Sequence, residues 1–489
     1  MIRRISATLI AAALFSAIPQ VARADADAAL AAIFAPNVKP YVKYGQSTLA
    51  ITDVRIIDGT GGAAREHQTV VVADGKIVAS GPNAGTMIPS GATRISGAGD
   101  TLTPGIVGTH NHLYYVSGGP LFIMREMPYS FPKLYLASGV TTMRTAGSVE
   151  PITDLTVKSQ IDRGVAVGPS MHLTSAYLTG QNDTYVQMLP LKDAADARAT
   201  VTFWADRGIT SFKIYTDITR AELAAVIETA HARGLKVMGH LCSIGFKEAA
   251  EMGIDELEHG LPVDSEFVKD KKPDVCPEDA RSDDSLEKLT VGGPELTALI
   301  DSLVKHHVVL SSTLAVFESF IPNRPLFAKF QREYDLLDPQ TRIDVLYTRS
   351  RLGSSGTPST FYKLFEKEMA FERAFVKAGG LLTIGPDPTG YGGVVAGFGD
   401  QRCMELLVEA GFTPLEAISI ATKNGASALG LSDRIGTIAV GKDADLVLVK
   451  GAPDKTIDDM ENVETVFKHG VGYDPKALLD AVRGFVGRQ

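Results

Sequence analysis

The chain has 489 residues, 45% hydrophobic and 21% charged, with Lys+Arg 48 against Asp+Glu 57 and a formal net charge of −9. That is too long for a short module and rich enough in core material to exclude a disordered chain or a fibrous repeat. There is no basic excess to neutralise a phosphate backbone, so no nucleic acid is expected as a partner. Cys242, Cys276 and Cys403 permit at most one disulfide and match no CxxC zinc or redox pattern.

At the start, Arg3 and Arg4 precede an apolar run from Ile5 to Ile18, and Ala22-Arg23-Ala24 supplies a small-x-small cleavage site. This predicts a signal peptide over residues 1–24. The run is shorter than the ~20 residues that span a bilayer. The expected mature form is therefore periplasmic or secreted, with no membrane segment.

After a helical lead-in, Thr48 to Asp58 and Thr69 to Gly81 are β-rich, and Asp74-Gly75 stands where a two-residue hairpin turn belongs. Near the other end, Gly436 to Lys450 and Val463 to Gly470 have the same character. Both ends are expected to build one small composite β-sandwich domain, from residues 25–103 and 432–489. Between them, over residues 104–431, β-like runs alternate with helical stretches. The runs are Gly105 to His112, Gly139 to Gly147, Met171 to Tyr177, Ile209 to Thr216, Lys236 to Leu241, Asp255 to His259, His307 to Thr313 and Leu381 to Asp387. This is the pattern of an α/β protein with a (β/α)8 TIM barrel, and no GxGxxG opens a helix after the first run to favour a dinucleotide fold. Lys269 to Asp284 reads as a long loop, Phe317 to Ala378 as helices before the last strand, and Gly390 to Gly399 as a glycine-rich loop. All three are candidates for covering the barrel mouth.

The first run ends in His110-Asn111-His112, and strand alternation puts both imidazoles on one face. An HxH pair alone says little among ten histidines, but its place at the C-terminal end of a barrel strand is where active sites lie. Lys213 falls between Phe212 and Ile214, whose alternation toward the outer helices turns it inward. Burial drives a lysine toward its neutral amine. A neutral amine adds carbon dioxide, and the resulting carbamate can bridge two divalent cations; the plainer alternative is a lysine snorkelling to the rim. His240 and His259 each close a β-like run, and Asp387 ends the last one, where a lone aspartate would otherwise read as a cap or turn residue.

The joint pattern of HxH on the first strand, Lys on the fourth, His on the fifth and sixth and Asp on the eighth resembles the metal-dependent amidohydrolase superfamily. The Pro104-Gly105 entry to the first strand and Gly441-Lys442-Asp443-Ala444-Asp445-Leu446, similar to that family's GKxADL segment, extend the likeness over most of the mature chain. Within the superfamily the sequence is most similar to the imidazolonepropionase-like and prolidase-like branch, which includes dipeptidases and ochratoxin hydrolases. The spacing from Lys213 to His240 is shorter than in prolidase-like members, so their substrate pocket does not carry over. The resemblance implies two divalent metal ions, with zinc expected, bridged by N6-carboxylated Lys213. One ion would take His110, His112 and Asp387, the second His240 and His259. It further implies hydrolysis of an amide or peptide C–N bond by a metal-activated hydroxide, Asp387 acting as the catalytic base and Tyr177 and Tyr215 lining the rim. The expected substrate is a small-molecule amide, N-acyl amino acid or short peptide, and a homo-oligomer is left open. Ring opening of a cyclic amide or lactone, or deamination, is the alternative within enzymes; a non-catalytic binding protein is the alternative outside them, and it is disfavoured because every ligand position is filled.

Overall fold

A computed structural model describes residues 34–117, 123–181, 187–277, 285–354, 360–389 and 393–488. The expected signal peptide lies outside the described residues, as do 278–284 of the long loop and 390–392 of the glycine-rich one.

The two ends of the chain meet in one nine-stranded sheet. Thr48–Ile56, Arg65–Ala73 and Lys76–Pro82 pair antiparallel in succession. Asp74 and Gly75 both adopt positive φ (49° and 77°), as a two-residue hairpin with native twist demands. Gly75 also has no room for a side chain, since a Cβ there would lie 2.9 Å from the carbonyl oxygen of His469. From the other end, Leu446–Lys450 runs antiparallel to Asp100–Pro104 and is followed by Val463–Lys468 and Val471–Tyr473. Alternation along Leu446–Lys450 fixes this sheet to the rest of the molecule. Leu446 and Leu448 enter a small core with Leu49, Ile51 and Phe467, whereas Val447 and Val449 face the main core. The expected strand from Gly436 is shorter than the sequence pattern indicates, because Gly436 and Gly441 turn the chain at φ 87° and 93°. That segment instead clips onto the hairpin through Gly441 N to Ile77 O and Ile77 N to Lys442 O.

Each of the eight runs expected between the two ends contains a strand, and these strands pair in parallel. Ile106–Asn111, Val140–Thr145 and Ser170–His172 form one sheet. Ser211–Ile214, Lys236–Gly239, Glu256–Glu258, Val309–Ser312 and Leu381–Ile384 lie in order in a second, whose edge carries the two-residue strands Leu178–Thr179 and Leu189–Pro190. The third run is regular for only three residues. Beyond it the chain bridges both neighbours, Thr174 to Ser211 and Ala176 to Ser148, and so connects the two sheets. On the far side, Asp387 N donates to His110 O at 3.2 Å and Thr109 Oγ1 meets Thr383 Oγ1 at 2.7 Å, which ties the eighth strand to the first. Helices such as Ala194–Ala205, Arg220–His231 and Pro294–Lys305 separate successive strands, and their apolar faces join Phe212, Ile214, Val237 and Leu257 in the main core. Phe317 to Ala378 supplies Leu314–Glu318, Phe327–Tyr334, Pro339–Ser354 and Thr360–Lys377. Among the described residues, no helix is long and apolar enough to cross a membrane.

Candidate active site at the strand ends

All six expected ligand residues, together with Tyr177 and Tyr215, line one cavity of about 250 Å³ at the C-terminal ends of the parallel strands. Alternation explains the first pair. His110 and His112, each 1% exposed, face the cavity, and Asn111 points the other way, donating from Nδ2 to Asp400 Oδ1 at 3.1 Å. His112 Nδ1 lies 3.2 Å from the carbonyl oxygen of Gly147, which can only accept, so Nδ1 donates there, and Nε2 lies 3.1 Å from Asp387 Oδ1. His110 Nε2 is 3.9 Å from the same oxygen, and His110 Nδ1 has no hydrogen-bond partner. Burial and the neighbouring Lys213 amine hold the His110 imidazole well below its usual pKa, in the neutral form a ligand requires.

Two of the ligand positions depend on unusual backbone. His259 and Asp387 have φ of 69° and 49°, the left-handed region that non-glycine residues seldom enter. The turn at His259 brings its ring to 4.6 Å from His110 and 4.4 Å from His240. His259 Nδ1 is held at 2.9 Å by Thr313 Oγ1.

Lys213 is 1% exposed and faces inward as its strand pattern requires. Burial pulls its amine well below the ordinary lysine range. Its nitrogen contacts Glu258, a residue that sequence reasoning missed; the other carboxylate oxygen of Glu258 lies 3.6 Å from His110 Nδ1. Strict alternation places Glu258 on the face opposite His259, and only the left-handed turn lets both point inward. A signal was nevertheless present, since Glu256-Leu257-Glu258 puts two carboxylates on the inward face of a buried strand. Tyr114 was also missed. Its hydroxyl is hydrogen-bonded to that of Tyr177, and its ring stacks 4.5 Å from His112. Burial holds both phenols well above their usual pKa, so they stay protonated as donors. Tyr215 packs 4.9 Å from His240 and 5.4 Å from Tyr177.

The donor set fits divalent metal. Ligand atoms of His110, His112 and Asp387 lie within 4.8 Å of one another, as do those of His110, Glu258 and His259, and this mixture of imidazole and carboxylate is what zinc-like ions prefer. Beside the site, a disulfide joins Cys242 to Cys276, and Cys403 is buried and free.

Comparison with known proteins agrees with this geometry. Residues 363–472 match the amidohydrolase family. An enamidase from Eubacterium barkeri is 44% identical over 83 residues, 17% of this chain and 20% of the enamidase. An imidazolonepropionase from Parabacteroides distasonis is 44% identical over 64 residues, 12% of this chain and 15% of that protein. The chain thus aligns with a fifth or less of the curated relatives it matches. A solved Bifidobacterium longum structure, assigned as a prolidase, superposes with a TM-score of 0.65 over 89% of this chain and 99% of its own, at 23% identity. Over residues 363–472 the chain is thus similar to the amidohydrolase family, and it shares its fold with the Bifidobacterium longum structure.

Proposed function

We propose that the protein is an exported, metal-dependent hydrolase that cleaves an amide C–N bond in a small molecule. The observation that carries this reading is the convergence of His110, His112, Lys213, His240, His259 and Asp387 on one cavity. The parallel strands are read as a closed (β/α)8 barrel and the nine-stranded sheet as a composite sandwich folded around its small core; the links at Asp387–His110 and Thr174–Ser211 support the closure.

In the proposed site, His110, His112 and Asp387 would hold one divalent ion and His240 and His259 the other, with zinc as the expected metal and Lys213, carboxylated at Nζ, as a further ligand. When bound, the metal supplies an activated water at neutral pH and polarises the scissile carbonyl. The chain's own groups do the rest. Asp387 Oδ takes the proton of the attacking water and returns it to the leaving nitrogen. The tyrosine hydroxyls at the rim donate toward the carbonyl oxygen as it gains charge. The neutral Lys213 amine favoured by burial is the form that adds carbon dioxide, and Glu258 lies in contact with it. The Cys242–Cys276 disulfide supports an oxidising compartment, in keeping with the signal peptide read over residues 1–24.

The reading is tested by metal analysis of the purified protein together with a screen of N-acyl amino acids, dipeptides, neutral amides and lactones. Metal at two equivalents and turnover of an amide are expected. A metal-loaded protein inert toward every C–N bond in the screen would reject it. N-terminal sequencing of protein from the periplasmic fraction should begin near Asp25; an intact cytosolic N-terminus would reject export.

A further inference from the structure

The cavity walls are chemically lopsided. One side is phenolic, formed by Tyr114, Tyr177 and Tyr215; the other is hydrocarbon, with Val263, Phe317, Phe320 and Leu364 at its centre. Apart from the ligand residues, no described residue that lines the cavity carries a charge. Lys213 is the one lysine or arginine among the described lining residues, and it is already engaged with Glu258. The remaining polar groups are hydroxyls, including Thr389 Oγ1, which is buried without a hydrogen-bond partner. Residues 118–122, 182–186 and 390–392, which adjoin the lining positions in sequence, contain no lysine or arginine and one acid, Asp183.

A carboxylate brought into such a pocket loses its water and gains no guanidinium or ammonium in exchange, which is costly for a buried ion. An uncharged group of the same shape meets hydrocarbon, aromatic faces and neutral hydroxyls that can donate or accept. We infer that this site takes uncharged, largely apolar amides and discriminates against substrates with a free carboxylate beside the scissile bond, such as N-acyl amino acids and dipeptides. This inference rests on the amide-hydrolase reading above and narrows it to one class of substrate.

The test compares two isosteric phenylacetyl amides on the metal-loaded, full-length mature protein, N-isobutylphenylacetamide and phenylacetylglycine, with phenylacetate release as the readout. The neutral member should have the higher kcat/KM by about 100-fold or more, the scale set by leaving a buried ion unpaired. Equal or faster turnover of phenylacetylglycine would overturn the inference. The esters isobutyl phenylacetate and carboxymethyl phenylacetate separate the two claims. If only the esters are cleaved, with the neutral one preferred, the amide reading fails and the pocket inference stands. If neither pair is cleaved, calorimetric binding of the two amides decides it, and tighter binding of the anion would overturn it. Phe320→Arg, which places a guanidinium on the hydrocarbon wall, should raise relative kcat/KM for phenylacetylglycine about 10-fold, the lower end of what one buried charge partner contributes. An unchanged ratio in a folded, metal-replete variant would also count against it.

Discussion

Two ion pairs lie two residues apart on one strand of the parallel array, and they are built differently. Glu256 meets Arg144 in a fork, Nη1 to Oε2 at 2.8 Å and Nη2 to Oε1 at 2.5 Å, while Arg144 Nε and Nη2 also donate to Thr109 O at 3.0 and 2.7 Å. Every charge in that layer is answered, and it closes the interior. One layer higher, Glu258 pairs with Lys213 through one oxygen, yet its other oxygen and His110 Nδ1 lack a hydrogen bond. A buried polar layer left unsatisfied is either a fault or a site awaiting a ligand. The convergence of four histidines and Asp387 on the open layer favours the second reading, that of the proposed site. On the proposed reading, the same inward-facing pattern serves structure where a guanidinium fills it and chemistry where a lysine does.

The largest expected effect comes from removing the lysine of the open layer. Lys213→Ala should abolish turnover and release at least one metal equivalent, with partial rescue by a short carboxylic acid such as acetate. Full metal content and activity in the variant would break the comparison. Next, Asp387→Asn keeps the shape of the ligand but cannot take up the proton, so kcat should fall by ~10² to 10⁴. Because asparagine caps nearly as well as aspartate, wild-type kcat would reduce Asp387 to a turn residue.

The closed layer should respond in stability. Arg144→Met strands Glu256 as a buried charge and should lower unfolding free energy by about 3 to 5 kcal/mol, whereas the double replacement with Glu256→Leu should restore most of it. Denaturant titration of the two variants checks this, and equal losses would show that the layer is not a self-contained pair.

A smaller effect concerns Asp400, which holds Asn111 between the two histidines. Burial raises its carboxyl to about 7, so between its unfolded pKa and that value the folded state binds the extra proton. Its contribution is therefore present at low pH and lost as pH rises toward 7. From pH 5 to pH 8 the wild type should lose about 3 kcal/mol more stability than Asp400→Asn. Parallel pH profiles for the two proteins would reject the assignment.

Much of this was legible in the sequence, and the exceptions have physical causes. Apolar runs that stop on a ligand-type residue disclosed the strands and His110, His112, His240, His259 and Asp387, because a polar side chain ending a buried strand needs a partner, and the alternation of Phe212 and Ile214 turned Lys213 inward. Glu258 and the pairing of the two layers stayed hidden because φ at His259 is set by tertiary contacts, and one left-handed residue overturns strict alternation. The third strand looked longer than it is because Leu173 to Tyr177 keeps β-type residues while its pairing passes from one sheet to the other. Gly436 and Gly441 cut the expected strand before Leu446 by turning, which composition alone does not separate from a glycine-rich strand.

The central claim is that the open layer is completed by a carboxylated lysine and metal. Loading the protein with zinc in ¹³C-bicarbonate and recording its carbon NMR spectrum beside its metal content tests it directly. The account predicts one carbamate carbon and two metal ions per chain, both lost in Lys213→Ala. A protein that holds its full metal with no carbamate carbon would contradict it.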